Sequence, residues 1–496
     1  MGVVRLSARD DCLIAAKTGV YRGGQVGEVQ VFKGIRYALP PAGDLRFRLP
    51  VPVSLSDKTI DARSFSPVAP QPGRLSRFSG PDCLSLNIWR NTKADGSAPV
   101  LFYIHGGMFM RGSGREAVLD GTLLARDWNI VVVTINYRLG MLGFVDLSSL
   151  DSRYVANPGL HDAVLALQWT HDNIAAFGGD PANITVVGES AGGSLVSLLP
   201  MLDDAAPLLN RLVMMSGIPA SLLPAKTEER LVQCFLEHFH IRNAHDLSRL
   251  SDGEIVAKTS ALIRKSGLGS GTFQPTVDGQ YLKAFPTNLI RHNQYRPVPM
   301  LIGNTRDELS VMGHPLLREH WDLQGIIDDG VSHEDPSATK SILSLYAQEY
   351  GKKEARIQLV SDMIIRTASL FYAEAASRTS QVWLYRFDLR PAAMRLSGLG
   401  AVHSSDLPLF FGNLLQGIGK VMFLSLHDLP AARQLSHEMQ ADVVRFMKDG
   451  TLPWARAFTD GFIAKCYDVP VRFDEPIPLE IYRSYQQTTY YAISMQ

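Results

Sequence analysis

Asn183-Ile184-Thr185-Val186-Val187-Gly188-Glu189-Ser190-Ala191-Gly192-Gly193 runs from a β-branched stretch through a glycine into a small-residue segment. Gly188-Glu189-Ser190-Ala191-Gly192 matches the Gly-x-Ser-x-Gly nucleophile elbow, in which a serine occupies a sharp turn between a strand and a helix. A side chain at either glycine would collide with neighbouring backbone where such a turn is tightest. The turn lifts the serine Oγ above the sheet edge, at the start of a helix whose first N–H groups are unpaired. Three fixed letters are a weak test by themselves, so the rest of the chain has to supply a base, an acid and an oxyanion hole.

Around the elbow the chain alternates strands and helices. Val100 to Ile104 and Ile130 to Ile135 are continuous apolar runs, as expected of central strands buried on both faces. A helix is expected after Asn157-Pro158-Gly159, with Leu160, Val164, Leu167 and Ile174 near a 3.6-residue period, stopping around Phe177-Gly178-Gly179-Asp180-Pro181. Leu212 to Met215, Val298 to Ile302 and Gln381 to Phe387 read as further strands, and Asp82 to Trp89 as a half-exposed one. Leu435, Met439, Val443 and Phe446 share one face of a late helix that Gly450 can cap. This order predicts an α/β fold, with a mostly parallel central sheet and helices on both faces. Residues 217–297 and 312–380 read as insertions that shape a substrate cleft, and residues 1–496 as a single domain.

Composition narrows the function classes. An apolar content of 46% is enough for a large core, and 49 basic against 49 acidic residues give no reason to expect a nucleic-acid partner. Met1 to Lys17 lacks the apolar stretch of a signal peptide, and no apolar run approaches 18 residues, so a soluble cytoplasmic protein without a membrane anchor is expected. Cys12, Cys83, Cys234 and Cys466 are far apart and read as reduced thiols. No His-Glu-x-x-His or paired-cysteine site is present, and no cofactor is expected.

A serine hydroxyl needs a base to take its proton and a carboxylate to orient that base. In α/β-hydrolases the order along the chain is serine, acid, histidine. Six histidines follow the 298–302 strand: His314, His320, His333, His403, His427 and His437. His437 falls on the amphipathic late helix, and His314, His320 and His333 in the irregular insertion. His403 stands in a glycine-containing loop past a strand, where catalytic groups collect in open α/β sheets. Asp307 and Glu308 are adjacent choices for the acid, and the pattern leaves both open. Backbone donors to an oxyanion are expected from Ala191 and from the glycine-rich loop His105-Gly106-Gly107-Met108-Phe109, with Gly107 and Met108 best suited. Asp82 and Arg46 are candidates for structural ion pairs.

With these motifs in place the chain resembles the type B carboxylesterases, the cholinesterase-like branch of the α/β-hydrolases, and within them the bacterial carboxylesterase or p-nitrobenzyl esterase type. The likeness runs from Phe32-Lys33-Gly34-Ile35-Arg36-Tyr37-Ala38 through Asp82 to Asn87, Tyr137-Arg138-Leu139-Gly140, Phe177 to Pro181 and the elbow to the segment 400–412. The resemblance implies Glu308 as the acid, His403 as the base, Gly107, Met108 and Ala191 as oxyanion donors, and Glu189 and Asp406 as residues lining the active site. Leu309 replaces the usual glycine after the acid, Met108 replaces a small residue, and Arg36 stands where many members have proline. Secreted eukaryotic members pair the cysteine at position 83 with one shortly upstream, where Pro67-Val68-Ala69-Pro70 stands here without a cysteine. The expected activity is hydrolysis of a small carboxylic ester through an acyl-enzyme, by a monomer or weak homo-oligomer. The alternatives are an amidase or carbamate hydrolase on the same scaffold, or a silent binding module.

Overall fold

The computed structural model describes residues 11–266, 271–313, 336–352 and 354–486. His314, His320 and His333 lie outside them, as does part of the second expected insertion. The chain divides into two compact units, one formed by Met1–Arg211 with Ser221–Ala284 and the other by Leu212–Ala220 with Phe285–Gln496.

In the first unit the strands longer than two residues are β1 (Asp11–Ala16), β2 (Gly19–Val26), β3 (Val29–Arg36), β4 (Ser85–Asn91), β5 (Ala98–Ile104), β6 (Val131–Ile135) and β7 (Gly179–Glu189). They lie in the order β1-β2-β3-β4-β6-β5-β7. Pairing is antiparallel from β1 to β6, and β5 runs parallel to both β6 and β7. All seven residues of β5 and all five of β6 are buried, as their unbroken apolar runs predict. Only Arg90 in β4 is less than buried. The expectation of a half-exposed strand there is therefore corrected: β4 is flanked by β3 and β6, and its polar residues are paired inside, Asn87 donating to Thr134 Oγ1 at 3.1 Å.

In the second unit β8 (Arg211–Met215), β9 (Met300–Thr305), β10 (Val382–Phe387) and β11 (Ala464–Tyr467) are parallel in the order β8-β9-β10-β11, and β12 (Arg472–Asp474) closes the edge antiparallel. A helix spans Leu429–Asp449 and ends at Gly450 with φ +69°, as the sequence predicts. His437 is exposed on it. The expected helix after Pro158 spans Pro158–Asn173 and continues as a 3-10 turn to Phe177, with Gly178 left-handed at its end.

The two candidate structural charges each find a partner. Arg36 Nε donates to Asp82 Oδ1 at 2.7 Å, and Arg46 Nε lies 2.9 Å from Asp252 Oδ1. Arg36 thus fastens the end of β3 to the segment entering β4. The Tyr137-Arg138-Leu139-Gly140 motif is structural too. Arg138 is 2% exposed, donates to both carboxylate oxygens of Asp162 at 2.7 and 2.6 Å, and reaches the carbonyls of Arg46 and Arg48. A buried fork of this kind is costly to break from one side, because the remaining charge stays desolvated. No helix among the described residues is long and apolar enough to cross a membrane.

Candidate active site

The sequence-predicted residues stand at the carboxyl ends of parallel strands, where open α/β sheets present their chemistry. They fall in both compact units, and each set has its own construction.

In the first unit β7 ends at Glu189 and a helix begins at Ala191, all eight residues of Ala191–Leu198 being buried. Ser190 between them has φ +56° and ψ −124°, a conformation that L side chains rarely adopt. The flanking glycines are required by contact. A Cβ on Gly188 would lie 2.5 Å from the Gly192 carbonyl, and one on Gly192 would lie 2.1 Å from Ile104 O at the end of β5. That closeness fixes the elbow against the loop following β5: a Cβ on Gly106 would come within 2.9 Å of Ser190 Cβ. The N–H groups of Gly107 and Met108 donate no hydrogen bond among the described residues, and Ala191 is the first residue of its helix, where the N–H has no partner within the helix. Free donors beside a raised hydroxyl form a place where an oxyanion can be held.

The loop that carries them is braced from below. Gly107 is at φ +115°, and both Met110 and Arg111 donate their N–H to its carbonyl at 3.1 Å. Gln71 exchanges two hydrogen bonds of 2.9 Å with the backbone of Gly112. His105 stacks on Tyr137 with ring centroids 4.5 Å apart, and the Tyr137 hydroxyl donates to His105 O at 2.7 Å. Met108 has φ +57°. The departure from a small residue here is therefore conformational as well as steric, since a left-handed non-glycine residue costs about 1–2 kcal/mol. Glu189 is 4% exposed, with its carboxylate against Gly106. Beside the loop lies a small apolar pocket lined by Met110, Leu139, Met141, Ile255 and Phe273 among others. Ile255 belongs to the helix Asp252–Ser266, so part of the first expected insertion lines this pocket.

Burial drives the pKa of His105 down to about 4, and its bond to Gly106 O opposes this only in part. The folded value lies below the ordinary 6.5, so the unfolded chain takes up the proton first. Stability from this group is full above pH 6.5 and falls as the pH drops, levelling off near pH 4. Replacing His105 by Phe should remove up to about 3 kcal/mol of the acid-induced loss across that window. Urea titrations at pH 7 and pH 4.5 check this; equal acid sensitivity in variant and parent would refute it.

In the second unit the loop after β9 carries Asp307 and Glu308, and the structure separates their roles. Glu308 is fully buried, and its Oε2 lies 2.6 Å from His403 Nδ1. Its Oε1 accepts from Ser216 Oγ at 2.6 Å and from Thr305 N at 2.8 Å. The backbone N–H of His403 donates to the Glu308 carbonyl at 3.0 Å, so the two residues are joined twice. Asp307 instead accepts from Ala401 N at 2.8 Å and exchanges backbone contact with the same residue, clamping the turn that leads to His403. Burial alone would raise the Glu308 pKa. The His403 charge and hydrogen bond, with those of Ser216 and Thr305, outweigh it and hold the carboxyl below its ordinary range. Leu309 is not left-handed, and its N–H donates to Ser361 Oγ at 3.0 Å, so the missing glycine leaves the turn intact.

Several supports were not foreseen. Ser216, directly after β8, is fully buried with φ +45°, and only its place past a strand marks it in the sequence. Asp362 and Arg366 form a buried ion pair on a π-helical turn, and Arg366 donates to the carbonyls of Thr305 and Arg306, just before Glu308. The described part of the second insertion therefore underpins the Glu308 turn as well as adding bulk. Asp406 is fully buried and accepts from Tyr385 Oη at 3.0 Å. No group of three or more His, Cys, Asp and Glu side chains among the described residues is arranged to hold a metal ion.

The sequence profile of the Carboxylesterase family matches residues 10–456. The chain is 33% identical over 456 residues to the para-nitrobenzyl esterase of Bacillus subtilis (strain 168), covering 88% of this chain and 90% of that one. Among solved structures, a thermophilic PNB esterase superposes with a TM-score of 0.85 at 29% identity, covering 95% of this chain and 99% of the other. A carboxylesterase of Geobacillus stearothermophilus superposes with a TM-score of 0.83 at 31% identity, covering 96% and 100%. With the elbow, the glycine loop and the buried glutamate–histidine pair already described, these similarities mean that the chain belongs to the carboxylesterase family, type B, and is a carboxylic ester hydrolase of the α/β-hydrolase fold.

Proposed function

We propose that the chain hydrolyses small carboxylic esters with Ser190 as nucleophile, His403 as general base and then acid, and Glu308 as the carboxylate that orients the imidazole. The observation that carries this reading is the 2.6 Å bond from His403 Nδ1 to the buried, ionised Glu308. With Nδ1–H donated to the carboxylate, the Nε2 lone pair is the one left to accept a proton. Ser190 Oγ attacks the ester carbonyl and passes its proton to His403. The oxyanion is held by the N–H groups of Gly107, Met108 and Ala191. Collapse of this intermediate expels the alcohol, which takes the proton from His403 and leaves an acyl-enzyme. Water then attacks the acyl carbonyl and passes a proton to His403; collapse breaks the bond to Ser190 Oγ, which takes that proton back from His403 as the acid is released. Glu189 and Asp406 back the site, and no cofactor takes part.

An organophosphate should label Ser190 stoichiometrically with loss of activity, and peptide mapping reads the position. Inactivation with the label on another residue rejects the assignment. Matched p-nitrophenyl ester and anilide substrates test the leaving group: faster ester turnover is expected, and the reverse would make the chain an amidase. Met108→Gly should relieve the left-handed strain, stabilising the protein by about 1 kcal/mol, and should speed hydrolysis of bulkier esters relative to acetate. An unchanged melting temperature and ester profile would count against both parts. The four cysteines form no disulfide among the described residues and two of them are buried, which supports a reducing, cytoplasmic compartment, and the protein is read as a monomer or weak homo-oligomer.

A further inference from the structure

The second unit carries a run of exposed apolar side chains that no part of the catalytic reading uses. Leu396 is 89% exposed, Leu424 74%, Leu426 63%, Val421 44% and Leu415 38%. Single exposed leucines are ordinary, but these sit on contiguous elements. The helix Ala392–Ser397 packs on the short helix Gly419–Met422, and the Ala392 N–H is held at 2.8 Å by Asp428 Oδ2, at the end of the turn Leu426–Asp428. The elements are anchored inward by Met394 and Met422, both fully buried, so the leucines face outward from a fixed base. Gly400 N donates to Met394 O at 3.2 Å, which joins this surface directly to the turn preceding His403.

Charge indicates what the surface meets. The whole chain is balanced, but residues 390–433 contain Arg390, Arg395, Lys420 and Arg433 against only Asp406 and Asp428. Asp406 is buried, and Asp428 is engaged with the Ala392 N–H. Arg395, Lys420 and Arg433 are exposed. Leucines among uncompensated cations are the composition of a surface that adsorbs to anionic lipid, the apolar groups entering the acyl boundary and the cations meeting headgroups. Five side chains fall in the few-hundred Å² range of an interaction patch, short of the roughly 800 Å² per partner that a stable dimer buries. We propose that this face, centred on Leu396, Leu424 and Leu426, is a docking surface for an anionic lipid interface.

The test is cosedimentation of the full chain with vesicles made of equal parts phosphatidylcholine and phosphatidylglycerol. The protein should pellet with them at low salt and less with pure phosphatidylcholine. The triple variant Leu396→Ser, Leu424→Ser, Leu426→Ser should bind at least about tenfold more weakly, with p-nitrophenyl acetate turnover unchanged as the check on folding. Arg395→Glu with Lys420→Glu should abolish the preference for phosphatidylglycerol. A parent protein that stays in the supernatant, or a triple variant that pellets like the parent, overturns the proposal. So does a concentration-dependent dimer in sedimentation velocity that the triple variant loses without any vesicle binding by the parent, which would make the face a contact between copies. Sedimentation needs no turnover, so this result is independent of the catalytic assignment.

Discussion

Ser190→Ala should lower kcat by about a million-fold, with the fold unchanged. The size follows from the proposed mechanism: without Oγ no acyl-enzyme forms, and the remaining catalysis comes from oxyanion donors that polarise a carbonyl for attack by water. The fold should survive because the elbow is built by backbone. Gly188 and Gly192 make its close contacts, and the Ser194 N–H to Ser190 O bond of 2.9 Å does not involve the hydroxyl. Alanine meets the same positive φ as serine, so the substitution adds no backbone strain. Turnover of p-nitrophenyl acetate, beside a thermal melt, gives the result. A variant that keeps even a tenth of the parent rate rejects Ser190 as nucleophile. If activity and melting temperature fall together, the experiment has reported unfolding, and organophosphate labelling of the parent decides the residue.

The fold was legible where period and punctuation agree. β5 and β6 are apolar because both faces are covered, and the helix Pro158–Asn173 announces both ends by Pro158 and Gly178. β4 was misjudged because alternation normally means one wet face, whereas Ser85, Asn87 and Asn91 are buried and spend their polar groups on backbone and on Thr134. At the candidate site, the Ser190 turn and the glycine loop are written locally, so short motifs mark them in the sequence. The pairing of Glu308 with His403 spans 95 residues and depends on which of two adjacent carboxylates turns inward. Residue pattern left that open, and the resemblance to type B carboxylesterases was needed to choose. Ser216 and Arg366 escaped notice because their roles exist only through tertiary contact with the Glu308 turn. The cost at Met108 was likewise invisible, since side-chain identity suggested bulk while the strain lies in φ.

Glu308→Gln should cost about four orders of magnitude in kcat while leaving KM for small esters nearly unchanged, as expected when a triad carboxylate is made neutral without changing its shape. The glutamine carbonyl can still accept from Ser216 Oγ and Thr305 N, which leaves its NH2 facing His403 Nδ1. That nitrogen must then accept rather than donate, which moves the proton to Nε2 and removes the lone pair that would take the Ser190 proton. The imidazolium formed during attack also loses its counter-charge. Asp307→Asn is the matched control. Its side-chain oxygen can still accept from Ala401 N, and its charge has no contact with the imidazole, so kcat should stay within about tenfold of the parent. Ser216→Ala should fall between them, because Glu308 keeps His403 and Thr305 but loses one of the bonds that hold its pKa down. The readout is kcat and KM across pH 5 to 9, at about one-unit steps, for all three variants. A Glu308→Gln protein within about tenfold of the parent would remove Glu308 from the mechanism, and a larger loss in Asp307→Asn than in Glu308→Gln would transfer the role to its neighbour.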